Sequence, residues 1–293
     1  MRVLLLGGTG SIGSAILEDL VAHDHHILAL CRSDLAAQKV EVSGAQPLPG
    51  DLNFPESWID EVAEVDAVIQ AAATFASDMG ETDARVLQSI TKRASTRTMP
   101  LRLIYTGGCW LYGETGACVA DENTPFDPLP SFAWMAENWS VLSRADHIEA
   151  MLLHPGMVYD ENDGVLHRYS DAAAKGKSIE IWGSKEATWP MVHRADLAAA
   201  YRHVLERGTP GDSYCVAAEE GIATGKLADA VAARHGSSAP HKLLPVSEAV
   251  ARHGDWAAGP ALKQRMSGAK IRQKLGWQPQ FESAISMLHG ETT

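Results

Sequence analysis

The sequence has little cysteine, no basic stripe and no long apolar segment, and each absence excludes a class of protein. Its 4 cysteines among 293 residues form neither a CxxC pair nor a dense disulfide framework, which favours a reducing, cytoplasmic setting. Lys and Arg number 25 against 37 Asp and Glu, a formal net charge of −12, so no nucleic-acid partner is expected. No stretch approaches the roughly 18 apolar residues of a membrane helix, so no membrane partner is expected either.

Short apolar runs alternate with longer amphipathic runs in the first half, a pattern typical of βαβ units. Strands are predicted at 3–6, 27–31, 46–48, 67–70, 101–106 and 148–154, and helices at 11–22, 55–63, 81–96, 132–144 and 195–206. The predicted fold class is therefore α/β, a doubly wound parallel (Rossmann) sheet with a smaller, α-rich C-terminal substrate lobe. Residues 1–157 are assigned to the NAD(P)-binding domain, with 186–216 returning to it. Residues 158–185 and 217–293 are assigned to the substrate-binding lobe.

A glycine-rich loop joins the first predicted strand to the first predicted helix. It reads GGTGSIG over residues 7–13, with glycines three residues apart. Glycine lets the backbone turn sharply there and bring N–H groups close to a pyrophosphate at the start of a helix. The predicted phosphate-binding residues are Gly7, Thr9, Gly10, Ser11, Ile12 and Gly13.

The end of the second predicted strand bears on the choice between two nicotinamide cofactors. A dinucleotide fold places there either an acid for a ribose 2′-hydroxyl or an arginine for a 2′-phosphate. The sequence has Arg32 and Ser33, with no carboxylate at the strand terminus. This favours NADP(H) over NAD(H), although Asp34 lies near the expected acidic spacing and keeps NAD(H) open.

With these residues in place, the chain resembles the extended short-chain dehydrogenase/reductase family, of the NAD(P)-dependent epimerase/dehydratase type. The resemblance also rests on GDL at 50–52, VIQAAA at 68–73, HPGMVY at 154–159, MVHRADLA at 191–198 and the segment 269–279, which ends in LGWQP. It implies further cofactor contacts at Asp51, Leu52, Ala71, Ala72, Ala73, Thr106, Pro155, Gly156 and Met157. In the family, the aspartate of the first of these segments contacts adenine.

The catalytic centre departs from the family pattern. The family carries a tyrosine four residues before a lysine, and no tyrosine of this chain has a lysine at that spacing. The helix expected to hold the pair, 132–144, begins FAWMAEN. The family's YxSSxxxYG segment reads YTGGCWLYG over 105–113, with glycine at both serine positions. The candidate catalytic residues are therefore Thr106 and Tyr112, and the candidate substrate contacts are Trp110, Trp134 and His193.

Three functions follow from this combination. The first is an NAD(P)(H)-dependent oxidoreductase that transfers hydride to or from a small carbonyl, alcohol or sugar-like substrate with a non-standard proton donor. The second is a sugar or sugar-nucleotide epimerase/dehydratase with an internally recycled cofactor, and the third is a catalytically inactive NADP(H)-sensing protein. The retained substrate-lobe segments favour an enzyme that acts on a small molecule.

Three further expectations concern a sugar-diphosphate site, a metal site and the oligomeric state. A sugar diphosphate would need cations in the C-terminal lobe, and Arg168, Lys175, Lys177 and Lys185 are available there. No metal site is expected, because the metal-type residues of 23–26 lie at a predicted turn where their side chains diverge. The family resemblance also implies a homodimer through the predicted helices 81–96 and 132–144.

Overall fold

The structure is a computed structural model that describes residues 1–74, 78–161 and 163–290. Its strands are β1 (Arg2–Leu6), β2 (His26–Cys31), β3 (Gln46–Pro49), β4 (Ala67–Gln70), β5 (Leu101–Thr106), β6 (Ile148–Pro155), β7 (Met157–Tyr159), β8 (Glu180–Trp182), β9 (Thr188–His193), β10 (Ser213–Val216), β11 (Glu219–Ala223) and β12 (Lys242–Leu244). Its α-helices are α1 (Ser11–Ala22), α2 (Asp34–Val42), α3 (Met79–Ala94), α4 (Ala133–Leu142), α5 (His167–Ala174), α6 (Arg194–Arg207), α7 (Thr224–Arg234), α8 (Val246–His253), α9 (Ala269–Leu275) and α10 (Ala284–Leu288).

The main sheet has seven strands in the order β3-β2-β1-β4-β5-β6-β10. The pairs from β3 through β6 are parallel, which confirms the predicted doubly wound sheet. The chain winds outward from β1 to β3 and then returns to place β4 on the other side of β1. Leu6 pairs with Gln70 at the carboxyl ends of these two strands. That edge is the topological switch point, where open α/β sheets bind ligands.

The local sequence explains the elements that flank this edge. Residues Val3 to Leu6 are fully buried, as expected for a parallel strand covered on both faces. Helix α1 buries Ile16 and Leu20, which lie one helical turn apart on the face that packs on the sheet. The loop between β1 and α1 is therefore held at both ends by apolar packing.

The chain divides into two compact units that are interleaved along the sequence. Unit 1 comprises residues 1–107, 134–153 and 197–214, and unit 2 comprises 108–133, 154–196 and 215–293. Within unit 2, β11, β9 and β7 form a three-stranded sheet, and β12 and β8 form a two-stranded sheet. These units have other bounds than the predicted NAD(P)-binding domain and substrate-binding lobe, and that functional division stays a prediction.

Several elements differ from the sequence-based prediction. The predicted helix at 55–63 is two 3-10 helices, Pro55–Ser57 and Ile59–Ala63, because Trp58 between them has non-helical backbone angles and its indole N–H donates to the Asp51 carbonyl. The predicted helix at 132–144 is the shorter α4, preceded by a 3-10 turn over Pro130–Phe132. The elements that the sequence-based prediction lacks are α2, α5, α7 to α10, β7, β8 and β10 to β12. No helix in the described ranges is long and apolar enough to cross a membrane.

Candidate functional site

The glycine loop after β1 packs against the segment that follows β4. Gly7 has φ +92°, a conformation that favours glycine, and a Cβ on it would lie 2.9 Å from backbone atoms of Ala71 and Ala72. A Cβ on Gly13 would lie 2.0 Å from the Gly7 carbonyl oxygen. The Gly10 N–H donates to the same carbonyl at 3.0 Å. Glycine at positions 7 and 13 is therefore a steric requirement of this turn.

The N-terminus of α1 has the properties of an anion site. Its N-cap, Gly10, supplies no side-chain hydrogen bond, and the first turn carries no acidic residue. Thr9 and Gly10 are exposed, and among the described residues other than its chain neighbours a Cβ on Gly10 would approach only the Gly7 carbonyl oxygen, at 3.4 Å. The first N–H groups of a helix have no intrahelical partner and carry the positive end of the dipole. This cradle fits the pyrophosphate of a dinucleotide.

A small pocket of unit 1 is lined in part by Ala72, whose backbone the glycine loop contacts. It includes three of the predicted cofactor residues, Leu52, Ala72 and Ala73, together with Gln70, Thr82 and Asp83. Asp51 lies at the turn before Leu52, where one oxygen of its carboxylate accepts the Asn53 N–H at 2.9 Å. The structure thus groups the predicted residues of segments 7–13, 51–52 and 71–73 in one unit.

Arg32 directly follows β2 and its side chain is exposed. Ser33 is the N-cap of α2, and its hydroxyl accepts the Ala36 N–H at 3.3 Å. No ion pair within the described ranges holds the Arg32 guanidinium. Arg32 is therefore available to an anion at the start of α2, whereas Ser33 is engaged as a helix cap and Asp34 adds a negative charge to the first turn.

Thr106 is the last residue of β5, and its hydroxyl meets that of Tyr201 on α6. The two oxygens are 2.6 Å apart, and both residues belong to unit 1. Tyr201 is fully buried, and burial raises the pKa of its phenol. Sequence reasoning missed this tyrosine as a partner. Its only signal is its position shortly after the HRAD segment of 193–196.

Helix α4 holds Trp134 and Asn138 at the four-residue spacing that the family uses for its tyrosine and lysine. Trp134 packs on Gly80 of α3, where an added Cβ would lie 2.8 Å from the indole ring. The Asn138 amide donates to the Asp83 carboxylate at 2.8 Å. Asn138 therefore contributes a hydrogen bond to the interior of unit 1.

Tyr112 and Trp110 lie in unit 2, within a largely apolar environment. The Tyr112 hydroxyl contacts the Cys215 Sγ at 3.2 Å, and burial raises the pKa of this phenol. Trp110 packs on Phe132 and Trp256, with ring centroids 5.2 and 6.5 Å away. The Tyr112 hydroxyl thus contacts a buried thiol. Of the two candidate catalytic residues, Tyr112 is buried and Thr106 is partly exposed.

His193 ends β9 in unit 2 and caps the following helix. Its Nδ1 accepts the Ala195 N–H at 3.3 Å, its ring centroid lies 3.8 Å from that of Phe281, and burial lowers the pKa of the imidazole. Asp196 accepts the N–H groups of Gln280 and Phe281 at 2.7 and 2.9 Å. The two late family segments meet where the Trp277 indole N–H donates to the Asp196 backbone carbonyl at 2.8 Å, and the Asp196 carboxylate binds the residues that directly follow the second segment.

The predicted cofactor residues Pro155, Gly156 and Met157 also lie in unit 2. The Gly156 N–H donates to the Val216 carbonyl at 2.9 Å, and a Cβ on Gly156 would lie 2.7 Å from the Pro190 carbonyl oxygen. Met157 is buried. Among the described residues, no group of three or more His, Cys, Asp or Glu side chains could hold a metal ion.

Comparison with known proteins agrees with this geometry. The family model described as "NAD dependent epimerase/dehydratase family" matches residues 3–217. An uncharacterized protein of Saccharomyces cerevisiae is 29% identical over 292 residues, covering 96% of this chain and 95% of that protein. The 4-hydroxy-2-methyl-3-oxo-4-farnesyl-3,4-dihydroquinoline-1-oxide ketoreductase of Stigmatella aurantiaca is 26% identical over 231 residues, covering 73% of this chain and 67% of that enzyme.

Among solved structures, human epimerase family protein SDR39U1 with NADPH superposes with a TM-score of 0.80 at 20% identity, covering 100% of this chain and 99% of that one. This likeness supports the fold. The family match confirms the predicted resemblance and the expectation of an enzyme that uses a nicotinamide dinucleotide. With a family model matched over residues 3–217 and a glycine cradle at the switch point of its sheet, the chain belongs to the NAD dependent epimerase/dehydratase family.

Proposed function

We propose that this chain is an NADP(H)-preferring oxidoreductase that transfers hydride between the nicotinamide and a small carbonyl or alcohol. The observation that carries the proposal is the contact of Gly7 with Ala71 and Ala72 beside the uncapped start of α1. The ketoreductase name of the Stigmatella relative and the NADPH in the human structure support it. When bound, the dinucleotide supplies or accepts the hydride.

Different residues of the chain bind different parts of the dinucleotide in this proposal. The N–H groups at the start of α1 receive the pyrophosphate, because they lack intrahelical partners. The Arg32 guanidinium receives a 2′-phosphate through charge-assisted hydrogen bonds. Asp34 in the same turn opposes a second negative charge, so the preference for NADP(H) depends on Arg32.

Thr106 is the proposed donor to the substrate oxygen. Either hydroxyl of this 2.6 Å contact can be the donor, and in the proposed arrangement Tyr201 donates to the Thr106 Oγ1. The Thr106 proton then remains available to an acceptor outside this pair. A preorganised donor of this kind stabilises the negative charge that develops on the substrate oxygen as the hydride arrives, which is worth about 10² to 10³ in rate, and the alkoxide product takes its proton from water.

Two of the cations expected to bind a sugar diphosphate have partners within unit 2, and this supports a small carbonyl rather than a sugar nucleotide as the substrate. The Arg168 guanidinium lies 4.1 Å from the Trp182 ring centroid and donates to the Glu180 carbonyl at 2.6 Å. Lys175 pairs with Asp171 at 2.6 Å. Two of the four cations predicted to be available for a diphosphate are therefore engaged within the protein.

The test is a titration of the purified protein with NADPH and, separately, NADH, followed by tryptophan quenching and energy transfer to the reduced nicotinamide. Arg32→Ala is expected to weaken NADPH binding about tenfold and leave NADH binding unchanged, since it removes charge-assisted hydrogen bonds to the 2′-phosphate. Lys39→Ala, which removes an exposed cation from the last turn of α2, is the matched control. Binding of neither cofactor by the wild-type protein would overturn the proposal.

A screen of small carbonyl compounds then follows the loss of nicotinamide absorbance. Turnover of a ketone or aldehyde without any nucleotide group supports the proposal. Tight NADPH binding without turnover of any carbonyl would favour the NADP(H)-sensing protein instead. Conversion of a sugar nucleotide with no net change in absorbance would favour the epimerase/dehydratase.

A further inference from the structure

Asp83 of α3 is a buried carboxylate that accepts hydrogen bonds from three other elements of unit 1. Its Oδ1 accepts the Gln70 Nε2–H of β4 at 2.7 Å. Its Oδ2 accepts the Tyr105 hydroxyl of β5 at 2.6 Å and the Asn138 Nδ2–H of α4 at 2.8 Å. Burial raises the pKa of Asp83, and these three hydrogen bonds oppose that rise. An ionised carboxylate can only accept, so this arrangement satisfies it.

One of the three donors connects Asp83 to the cofactor segment. Gln70 uses its Nε2 for Asp83 and its Oε1 to accept the Ala72 N–H at 3.2 Å. The backbone of Ala71 and Ala72 is in turn the surface on which Gly7 packs. A side-chain amide has an NH₂ donor and a carbonyl acceptor. Because the Asp83 carboxylate binds the NH₂ group of Gln70, the carbonyl oxygen of Gln70 faces the Ala72 N–H.

We propose that Asp83 is a positioning residue for cofactor binding, because it holds the Gln70 amide in the orientation that fixes segment 71–73 against the glycine loop. This inference rests on the proposed function, since the ligand it serves is the nicotinamide dinucleotide. Tyr105 and Asn138 donate to the same carboxylate, and within the described part of the chain neither forms a hydrogen bond to segment 71–73. Gln70 thus connects Asp83 to segment 71–73, whereas Tyr105 and Asn138 bind Asp83 from other elements. Substitutions can therefore separate the effect of the Gln70 bond from that of the other two bonds.

Asp83→Asn is the informative change because it keeps the shape of the side chain. Two donors, Tyr105 and Asn138, face the Oδ2 position, so the amide oxygen of Asn turns toward them. Its Nδ2–H then faces Gln70, whose amide rotates to present Oε1 and loses its bond to Ala72. Tyr105→Phe is the matched control, since it removes one donor to Asp83 and leaves the bond between Gln70 and Ala72 in place.

The experiment measures the Kd for NADPH and the melting temperature of both variants. Asp83→Asn is expected to raise the Kd about tenfold, whereas Tyr105→Phe is expected to change it less than about twofold, although both lower the melting temperature. Equal increases of the Kd in the two variants would mean that the cluster acts only through overall stability, and would overturn the inference. An unchanged Kd in Asp83→Asn would overturn it as well.

A second measurement needs no cofactor. Hydrogen exchange of the Ala72 amide is expected to be at least about fivefold faster in Asp83→Asn than in the wild-type protein, and unchanged in Tyr105→Phe. Exchange at the wild-type rate in Asp83→Asn would overturn the positioning role. If the wild-type protein binds neither cofactor, the proposed function fails, and the exchange rate of Ala72 still decides whether Asp83 positions this segment.

Discussion

Two buried polar side chains, Asp83 of unit 1 and His154 of unit 2, have opposite environments. In unit 1, the Asp83 carboxylate accepts three hydrogen bonds of 2.6 to 2.8 Å from three different elements. In unit 2, His154 is fully buried between the rings of Tyr112 and Phe126, and the loss of hydration outweighs a backbone interaction with Gly108. Burial lowers the pKa of His154 to about 3, so the imidazole is neutral.

The difference shows how burial and hydrogen bonding compete. A buried charge persists where donors replace the water it loses, as they do around Asp83. Where too few partners replace water, the group takes its neutral form, as His154 does. Removing a group from the first environment leaves three donors unpaired, whereas removing one from the second leaves almost none. The following changes test that comparison, from the largest expected effect to the smallest.

Asp83→Leu is expected to have the largest effect. It leaves the Gln70, Tyr105 and Asn138 donors buried without an acceptor, at about 1 to 3 kcal/mol each, so the free energy of unfolding should fall by about 4 kcal/mol. Denaturant unfolding followed by circular dichroism measures this. A loss below about 1 kcal/mol would show that the Asp83 cluster is no more costly to break than the His154 environment.

Thr106→Val tests the second polar contact of unit 1. Removal of the proposed donor should lower kcat about 100-fold with the carbonyl substrate found by screening, while the Kd for NADPH stays within about twofold. Thr106→Ser, which keeps the hydroxyl, should recover most of the activity. Equal rates for valine and serine at this position would remove Thr106 from the catalytic residues.

His154→Leu should change how stability depends on pH. The ordinary pKa of 6.5 falls to about 3 in the folded protein, so below pH 6.5 the unfolded chain binds a proton that the folded chain does not. Stability is therefore lost as the pH falls, by about 2 kcal/mol between pH 7 and pH 5. Unfolding at both pH values measures this contribution as the difference between wild type and variant. Identical pH dependence in the two proteins would contradict the neutral buried imidazole.

Tyr112→Phe should have the smallest effect. It removes a hydroxyl whose contact is a thiol at 3.2 Å, so the free energy of unfolding should change by less than about 1 kcal/mol. Turnover should stay at the wild-type level, because that hydroxyl is engaged with Cys215. A loss of activity comparable to that of Thr106→Val would restore Tyr112 as a catalytic candidate.

Much of the frame of unit 1 could be predicted because its signals are local. Helix α1 and strands β4 and β5 have the predicted bounds, since buried apolar runs and one-turn apolar spacing are properties of neighbouring residues. The four-residue strand β10 lacked such a signal. The burial of Asp83 also has no local signal, because this residue lies in the polar run GETDAR of 80–85, which predicts a solvated helix face. Its burial follows only from the packing of α3 against β4, β5 and α4.

The sequence by itself determined helix α1, strands β4 and β5 and the glycine loop at 7–13. It did so because positive φ and the absence of a Cβ are requirements that only the residue at that position can meet. The tertiary structure decided which polar groups would be partners: Gln70 and Asp83, Thr106 and Tyr201, Tyr112 and Cys215. A hydrogen bond needs donor and acceptor within about 3 Å, and residues distant in sequence reach that separation only when their elements pack together.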